Sequence, residues 1–235
     1  MTQTHLNHLQ LLQLADSALP IGSTAHSFGL ETLVATGHLT VPQLPDFFRD
    51  YMMEVGAVEA LYCRLAYRAA AVPDEAAFKE QWFRLNTRLS ALKPARESRT
   101  ASAMMGKRFL QLAYGLMAHP RLETAIRSAL EAGIDTHHAP AFGVVGQALA
   151  IDEELTVLAY GQQSLAGLIS ACQRLMPLGQ RQAAQLSWQL KPIIIEAAQR
   201  SQDGDIDGPA AYSCTTLLDM AGMQHPGLPT RLFIS

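Results

Sequence analysis

Ser27 is the residue whose surroundings most resemble those of a catalytic nucleophile. It lies in the segment AHSFG, residues 25–29, where small residues flank a serine at two-residue spacing, as in the nucleophile elbow of α/β-hydrolases. Such an elbow follows a buried strand that belongs to a parallel sheet. The 26 residues before Ser27 contain instead a run, 5–20, with the leucine spacing of a helix. We therefore predict that Ser27 is not a nucleophile.

Phosphate and metal sites are also poorly supported by the spacing of the residues that could form them. Gly22 and Gly29 lie seven positions apart, but no lysine follows to reach a phosphate, as a Walker A loop requires. His5 and His8 lie one helical turn apart without a nearby third ligand. The alternating aspartates of the loop 201–209 lack the glycine and glutamate positions of a calcium-binding EF-hand. We expect no catalytic residue and no metal site.

The elements that position these residues are expected to be helices. The 235 residues are 49% apolar, 17% charged and only 7% aromatic, so alanine and leucine supply much of the apolar content, as in packed helices. We predict an all-α, single-domain bundle of roughly eight to ten helices with an irregular C-terminal tail. After a first N-terminal helix, further helices are expected at 44–65, from Pro73 onward, and at 94–118, 121–132, 141–150, 153–175, 178–200 and 209–221.

Three local signals refine this prediction. Thr40 and Gln43 have the spacing of a capping box ahead of the apolar stripe 44–65. Pro192 should kink the helix 178–200, because proline removes a backbone donor and its ring clashes with the preceding turn. Small residues along one side of the helix 94–118 would let another element approach closely. They are Ala95, Ser98, Ser102 and Gly106.

The C-terminal tail is unusually apolar. Gly222 is expected to end the last helix, which leaves residues 1–222 as the helical domain and 223–235 as a non-helical tail. Leu232, Phe233 and Ile234 would each gain ~1.5–3 kcal/mol from burial, so this segment should be covered by protein. The residues alone leave open whether its own domain or another protein covers it. We predict that removing residues 228–235 leaves helical content and melting nearly unchanged and abolishes capture of a partner protein.

Charge and cysteine content exclude some functions and indicate a compartment. The net charge of −3 provides no basic surface for nucleic acid or an anionic membrane. No apolar run is long enough to span a bilayer, and the first Lys or Arg is Arg49, so a secretory signal is not expected. Cys63, Cys172 and Cys214 are solitary, and we expect reduced, core-packed thiols in a cytoplasmic protein.

Taken together, several segments of the chain resemble the urease accessory protein UreF family. The first, LQLADSALPIGSTAHSFGLE, is similar to that family's N-terminal signature, which usually has a second glycine where this chain has Ser23. Later segments match family blocks in the expected order: ARESRTASAMMGKRFL, HHAPAFGVVG, PLGQRQAAQLSWQL and the closing PAAYSCTTLLDMAGMQHPGLPTRLFIS. The resemblance covers nearly the whole chain.

The resemblance implies a non-catalytic, dimeric scaffold. It would join a companion accessory protein, UreD (also called UreH), to the nickel-carrying GTPase UreG for nickel insertion into apo-urease. It also implies that nickel and GTP are handled by these partners and that this chain binds no cofactor tightly. The partner-binding residues implied by the matching segments are Gly22, His26, Ser27, Gly29, Glu31, Arg96, Glu97, Ser98, Pro177, Gly179, Gln180, Arg231, Leu232, Phe233 and Ser235.

Two alternatives for the mechanism remain open from the sequence. One is activation of GTP hydrolysis by an inserted arginine, for which the candidates are Arg96, Arg99, Arg181 and Arg231. The other is direct passage of nickel through the assembled proteins, which scattered histidines and acidic residues could line. We favour scaffolding and gating over both.

Overall fold

The computed structural model describes residues 2–235 and confirms the all-α prediction, since no strand occurs in that range. The α-helices are α1 Thr2–Leu14, α2 Leu30–Ala35, α3 Leu44–Tyr51, α4 Ala57–Ala71, α5 Glu75–Leu92, α6 Arg96–Met117, α7 Pro120–Ala132, α8 His138–Ala148, α9 Glu153–Leu175, α10 Gln180–Gln189, α11 Lys191–Arg200 and α12 Thr216–Gln224.

Two pairs of these helices are continuous or nearly so. A π-helical turn, Met52–Gly56, joins α3 to α4 without a break, in agreement with the predicted stripe 44–65. Helices α10 and α11 meet at Leu190, two residues ahead of Pro192, so the kink predicted for this proline is confirmed. Counted this way, the described residues form ten helical stretches, within the predicted number.

Some boundaries differ from the prediction for local reasons. The helix expected at 209–221 begins only at Thr216, because Pro209 starts a 3₁₀ turn that ends in an extended Tyr212. Gln43 Oε1 accepts a hydrogen bond of 2.9 Å from the Thr40 backbone, but it caps a 3₁₀ turn rather than α3 itself. Helix α12 runs through Gln224, and a 3₁₀ turn, His225–Gly227, follows it, so helical structure extends into the tail expected at 223–235.

The core consists of two adjoining apolar clusters. The first is built around α4 and α8, the most extensive helix pair, where the missing side chain of Gly143 allows the α4 backbone to approach at Cys63. The second lies among α2, α3, α9, α10 and α11. Phe28 and Leu158 contact both clusters, so the helices form a single domain.

The cysteines and the surface agree only partly with expectation. All three cysteines are free, and Cys63 and Cys172 are buried as predicted, with burial raising the pKa of Cys172 to about 12. Cys214 is exposed, so its expected place in the core was wrong, because it lies in the extended segment before α12. Among residues 2–235, no helix combines the length and apolarity that crossing a bilayer demands.

Candidate functional site

The first loop, residues 22–29, is the second half of the connection between α1 and α2 and carries several of the expected site residues. Its two glycines adopt the left-handed conformation, with φ of 87° at Gly22 and 91° at Gly29. A Cβ on Gly29 would lie 2.9 Å from the backbone oxygen of Leu218. The loop therefore needs glycine at this position both for its turn and for its contact with α12.

Ser27 has a structural role in this loop. Its side chain is fully buried, and Oγ accepts a hydrogen bond of 3.4 Å from the backbone N–H of Glu31, in the first turn of α2. Its own N–H donates to the backbone oxygen of Ser235. No strand precedes it in the described chain, so the segment 25–29 is not the strand-to-helix turn of a nucleophile elbow.

His26 contacts the last residue of the chain. Its Nδ1 lies 2.8 Å from Oγ of Ser235, and the Ala25 oxygen accepts a hydrogen bond of 2.9 Å from the N–H of Ile234. Burial, together with the positive charge of Arg108, lowers the pKa of His26. The first loop and the end of the tail are thus held together by backbone and side-chain bonds.

Glu31 is the main acceptor for the tail, which in the structure comprises residues 225–235. Its Oε1 accepts from the N–H of Leu232 at 2.5 Å, and its Oε2 accepts from the N–H of Phe233 at 3.1 Å. Burial raises the pKa of this carboxyl group, but the two backbone bonds and a bond from His225 outweigh it, so the pKa lies below its ordinary value.

His225 links the tail to two helices. The fully buried ring places Nε2 2.9 Å from Glu31 Oε2 and Nδ1 2.6 Å from Glu97 Oε2. With one carboxylate at each ring nitrogen, His225 forms a hydrogen-bonded bridge between α2 and α6. Arg231 adds a contact of 3.4 Å to Glu97. The two carboxylates lie beyond opposite ring nitrogens and do not converge on a common point.

The three apolar residues at the end of the tail face different directions. Phe233 is buried at 4% exposure and lies under Arg174, whose guanidinium carbon is 4.2 Å from the ring centroid. Leu232 and Ile234 are 53% and 69% exposed. The domain itself thus covers one residue and leaves two in solvent. The burial of Phe233 weighs against the expectation that removing residues 228–235 leaves melting unchanged, which stays a prediction.

The other expected residues lie near this site without all touching the tail. Ser98 and Ala95, at the start of α6, face Gly222 of α12, which confirms the close approach predicted for the small residues. Arg96, beside them, is exposed.

Pro177, Gly179 and Gln180 form the connection from α9 to α10. Gln173 donates to Oε1 of Gln180 at 3.0 Å, and the N–H of Gly179 donates to Gln182 at 3.2 Å. Among the described residues, no hydrogen bond joins this connection to the tail, so its role in partner binding stays a prediction.

The candidate arginines differ in how strongly they are held. Arg99 donates to the backbone oxygen of Lys93 at 2.8 Å, and Arg231 faces Glu97. Arg96 and Arg181 are exposed.

Sequence reasoning missed His225 and Arg174. His225 meets Glu31 across 194 positions and Glu97 across 128 positions of the chain, which no local spacing reveals. Arg174 belongs to the last turn of α9, where a basic residue is common for helix stability alone. The packing of the tail was needed to find both.

Comparison with known proteins gives a consistent result. A sequence model of the UreF family matches residues 40–191. The urease accessory protein UreF of a Nostoc species is 34% identical over 236 aligned positions, covering 100% of this chain and 98% of that protein. The UreF proteins of Geobacillus kaustophilus and Lachnoclostridium phytofermentans are each 32% identical, with 97% of this chain covered and 97% and 98% of theirs. The chain therefore belongs to the UreF family of urease accessory proteins, which serve urease maturation without being enzymes.

Proposed function

We propose that this protein is a scaffold that holds the companion accessory protein UreD/UreH and the GTPase UreG together while nickel is inserted into apo-urease. The companion binds the face formed by α12 and the tail. UreG and apo-urease join through the assembled complex. The scaffold works in the cytoplasm as a homodimer, and nickel and GTP are bound by the partners.

The observation that carries this proposal is a row of exposed apolar side chains beside the docked tail. Leu217, Met220 and Met223 follow one another at three-residue steps along the outer side of α12, and each is more than half exposed. Leu232 and Ile234 of the tail are exposed as well, and both elements pack against α2. Methionine adapts its shape readily, which suits a surface that another protein covers.

The buried contacts of the tail explain how this surface keeps its shape. Phe233 and the bonds to Glu31 fix the backbone between Leu232 and Ile234, so both side chains are presented before a partner arrives. A preorganised surface loses less conformational entropy on binding than a free tail would.

The proposed effect on the GTPase follows from differential affinity. A partner shifts a nucleotide-dependent equilibrium only by binding one conformation more tightly than the other. The scaffold therefore gates UreG by preferring one nucleotide state and needs no group that takes part in hydrolysis.

Equilibrium dialysis of the purified chain against nickel tests the accompanying expectation that it holds no metal at stoichiometric occupancy.

Capture of the companion protein by a double variant tests the docking surface. Leu232→Ser with Ile234→Ser removes two apolar contacts worth ~1.5–3 kcal/mol each, so we expect binding to weaken at least about 100-fold. The melting temperature should be unchanged, because both side chains are already exposed. Sedimentation of the unmodified chain tests the dimer separately.

Leu130→Ser is the matched control, since Leu130 is 76% exposed on α7, away from the tail. It should capture the companion as well as the unmodified chain does. Full binding by the double variant, or an equal loss in the control, would show that the companion docks elsewhere.

A further inference from the structure

Helix α1 carries leucines on its solvent side as well as on its core side. Leu11 and Leu14 are buried in the first apolar cluster. Leu6, Leu9 and Leu12 follow one another at three-residue steps on the solvent side, and they are 47%, 64% and 69% exposed. A surface helix presents charged and polar residues to solvent, whereas a helix that is apolar all round is one that other protein covers. The outer side of α1 therefore has the character of a contact surface.

The polar side chains on this outer side are uncharged and self-complementary. Residues 2–14 contain no Asp, Glu, Lys or Arg, although 17% of the whole chain is charged. Amide groups and neutral imidazoles both donate and accept hydrogen bonds, and the exposed ones beside the leucines are His5, His8 and Gln13. A second copy of this face would meet the first without like charges and without unmatched donors. In an interface between two identical copies the same patch faces itself, so this property favours a second copy over a different protein selected by opposite charge.

The two ends of α1 favour an antiparallel neighbour. The first turn contains no acidic residue and the last turn contains no basic residue, so no charged side chain compensates the helix dipole. The aligned peptide groups leave partial positive charge at the N-terminus of a helix and partial negative charge at its C-terminus. An antiparallel neighbour places opposite ends side by side. A two-fold axis perpendicular to the helix produces this arrangement from two identical copies.

We propose that α1 is the contact through which two copies of this protein form a homodimer, with the two helices antiparallel. This inference rests on the proposed function and names the interface of the proposed dimer. Leu9 is the middle of the three exposed leucines, so it meets Leu9 of the second copy, while Leu6 and Leu12 meet each other across the two-fold axis. The surface assigned to the companion belongs to α12 and the tail, so the two contacts use different elements.

The size of this contact predicts a reversible dimer. The 13 residues of α1 form a strip about 20 Å long and about 10 Å wide. Such a strip is small compared with the ~800 Å² that each partner buries in a standard interface. The fraction of dimer should therefore rise with protein concentration.

Sedimentation of the full chain over a range of concentrations tests this interface. Leu9→Gln with Leu12→Gln keeps the helix propensity but removes four leucines from each dimer, so dimerisation should weaken at least about 100-fold. Helical content measured by circular dichroism should be unchanged, because both side chains are exposed in the single copy. Leu116→Gln with Leu130→Gln is the matched control on α6 and α7, where both leucines are exposed, and it should dimerise as the unmodified chain does.

Opposite charges at the centre of the contact identify the second copy as the occupant. Leu9→Glu and Leu9→Lys should each be monomeric, because like charges meet across the two-fold axis, whereas a mixture of the two should form a heterodimer. A mixture that stays monomeric would overturn the inference.

The remaining outcomes separate this interface from the dimer itself. A dimer that persists in the Leu9→Gln, Leu12→Gln variant, or an equal loss in the control, would overturn the interface and leave the homodimer standing. Loss of companion capture with an unchanged dimer would assign this face to the companion and overturn the inference as well. An unmodified chain that is monomeric at every concentration would refute the homodimer and its interface together.

Discussion

Replacing Glu31 by glutamine should release the tail, because this carboxylate accepts two backbone N–H groups and lies 2.9 Å from Nε2 of His225. In Glu31→Gln one oxygen becomes an NH₂ group that faces an N–H donor, and the charge opposite His225 is lost. A hydrogen bond to a charged group contributes ~1.5–3 kcal/mol, so the loss of one bond and the weakening of another amount to about 3 kcal/mol of tail docking.

Backbone hydrogen exchange measures this effect directly. The amides of Ser27, Leu232 and Phe233 are hydrogen-bonded only while the tail is docked. At about 1.4 kcal/mol per tenfold change, a loss of about 3 kcal/mol should accelerate their exchange about 100-fold. If the tail unfolds together with the domain, the melting temperature should also fall by roughly 6–12 °C, at ~2–4 °C per kcal/mol for a domain of this size.

Glu97→Gln is the matched control. Glu97 meets the same histidine but accepts no backbone bond from the tail, and its side chain is 24% exposed. We expect Glu97→Gln to weaken tail docking by about 1 kcal/mol, which would accelerate exchange at the three amides roughly fivefold. Exchange in Glu31→Gln within about threefold of the unmodified chain would refute the reasoning and show that Phe233 packing alone holds the tail.

Three further predictions concern acid stability, loop geometry and GTP hydrolysis. Burial, which outweighs the nearby charges, lowers the pKa of His138 from 6.5 to about 4, so the unfolded chain takes up a proton first as the pH falls. The corresponding stability is complete above pH 6.5 and is lost towards pH 4, by about 3 kcal/mol, and urea denaturation of His138→Phe should show a shallower loss. Gly29→Ala should lower the free energy of unfolding, measured in thermal melts, by about 2–4 kcal/mol, because its Cβ is strained at φ 91° and lies 2.9 Å from the Leu218 oxygen. Gly37→Ala is the control, with φ 74° and open space around it, and it should cost only about 1 kcal/mol. Arg96→Ala and Arg181→Ala should change the GTP turnover of the assembled complex less than about twofold, and a collapse with binding retained would establish an inserted arginine instead.

The architecture was largely predictable because its determinants are local. Apolar spacing placed the stripe that begins at Leu44, and the rigid ring of Pro192 marked the break before α11. The late start of α12 was not predictable. The extended backbone of Tyr212 ends the 3₁₀ turn that begins at Pro209, so this turn does not continue into α12.

The docking of the tail depended on contacts that the sequence does not reveal. The apolar tail residues were recognised as needing cover, but their different orientations follow from Phe233 lying beneath Arg174. The resemblance brought Glu31, Glu97 and Arg231 into the expected site. His225, which joins them, has no local signature, because its partners come from two distant helices.

The π-helical turn at Met52–Gly56 determines which way the neighbouring residues point. Relative to an α-helix it contains one extra residue, equivalent to a rotation of about 100°. Phe48, before the turn, belongs to the second apolar cluster, and Leu61, after it, belongs to the first. A chain shortened by one residue here would rotate every later side chain of α4 away from α8. The length of this short segment therefore determines which face of α4 packs into the core.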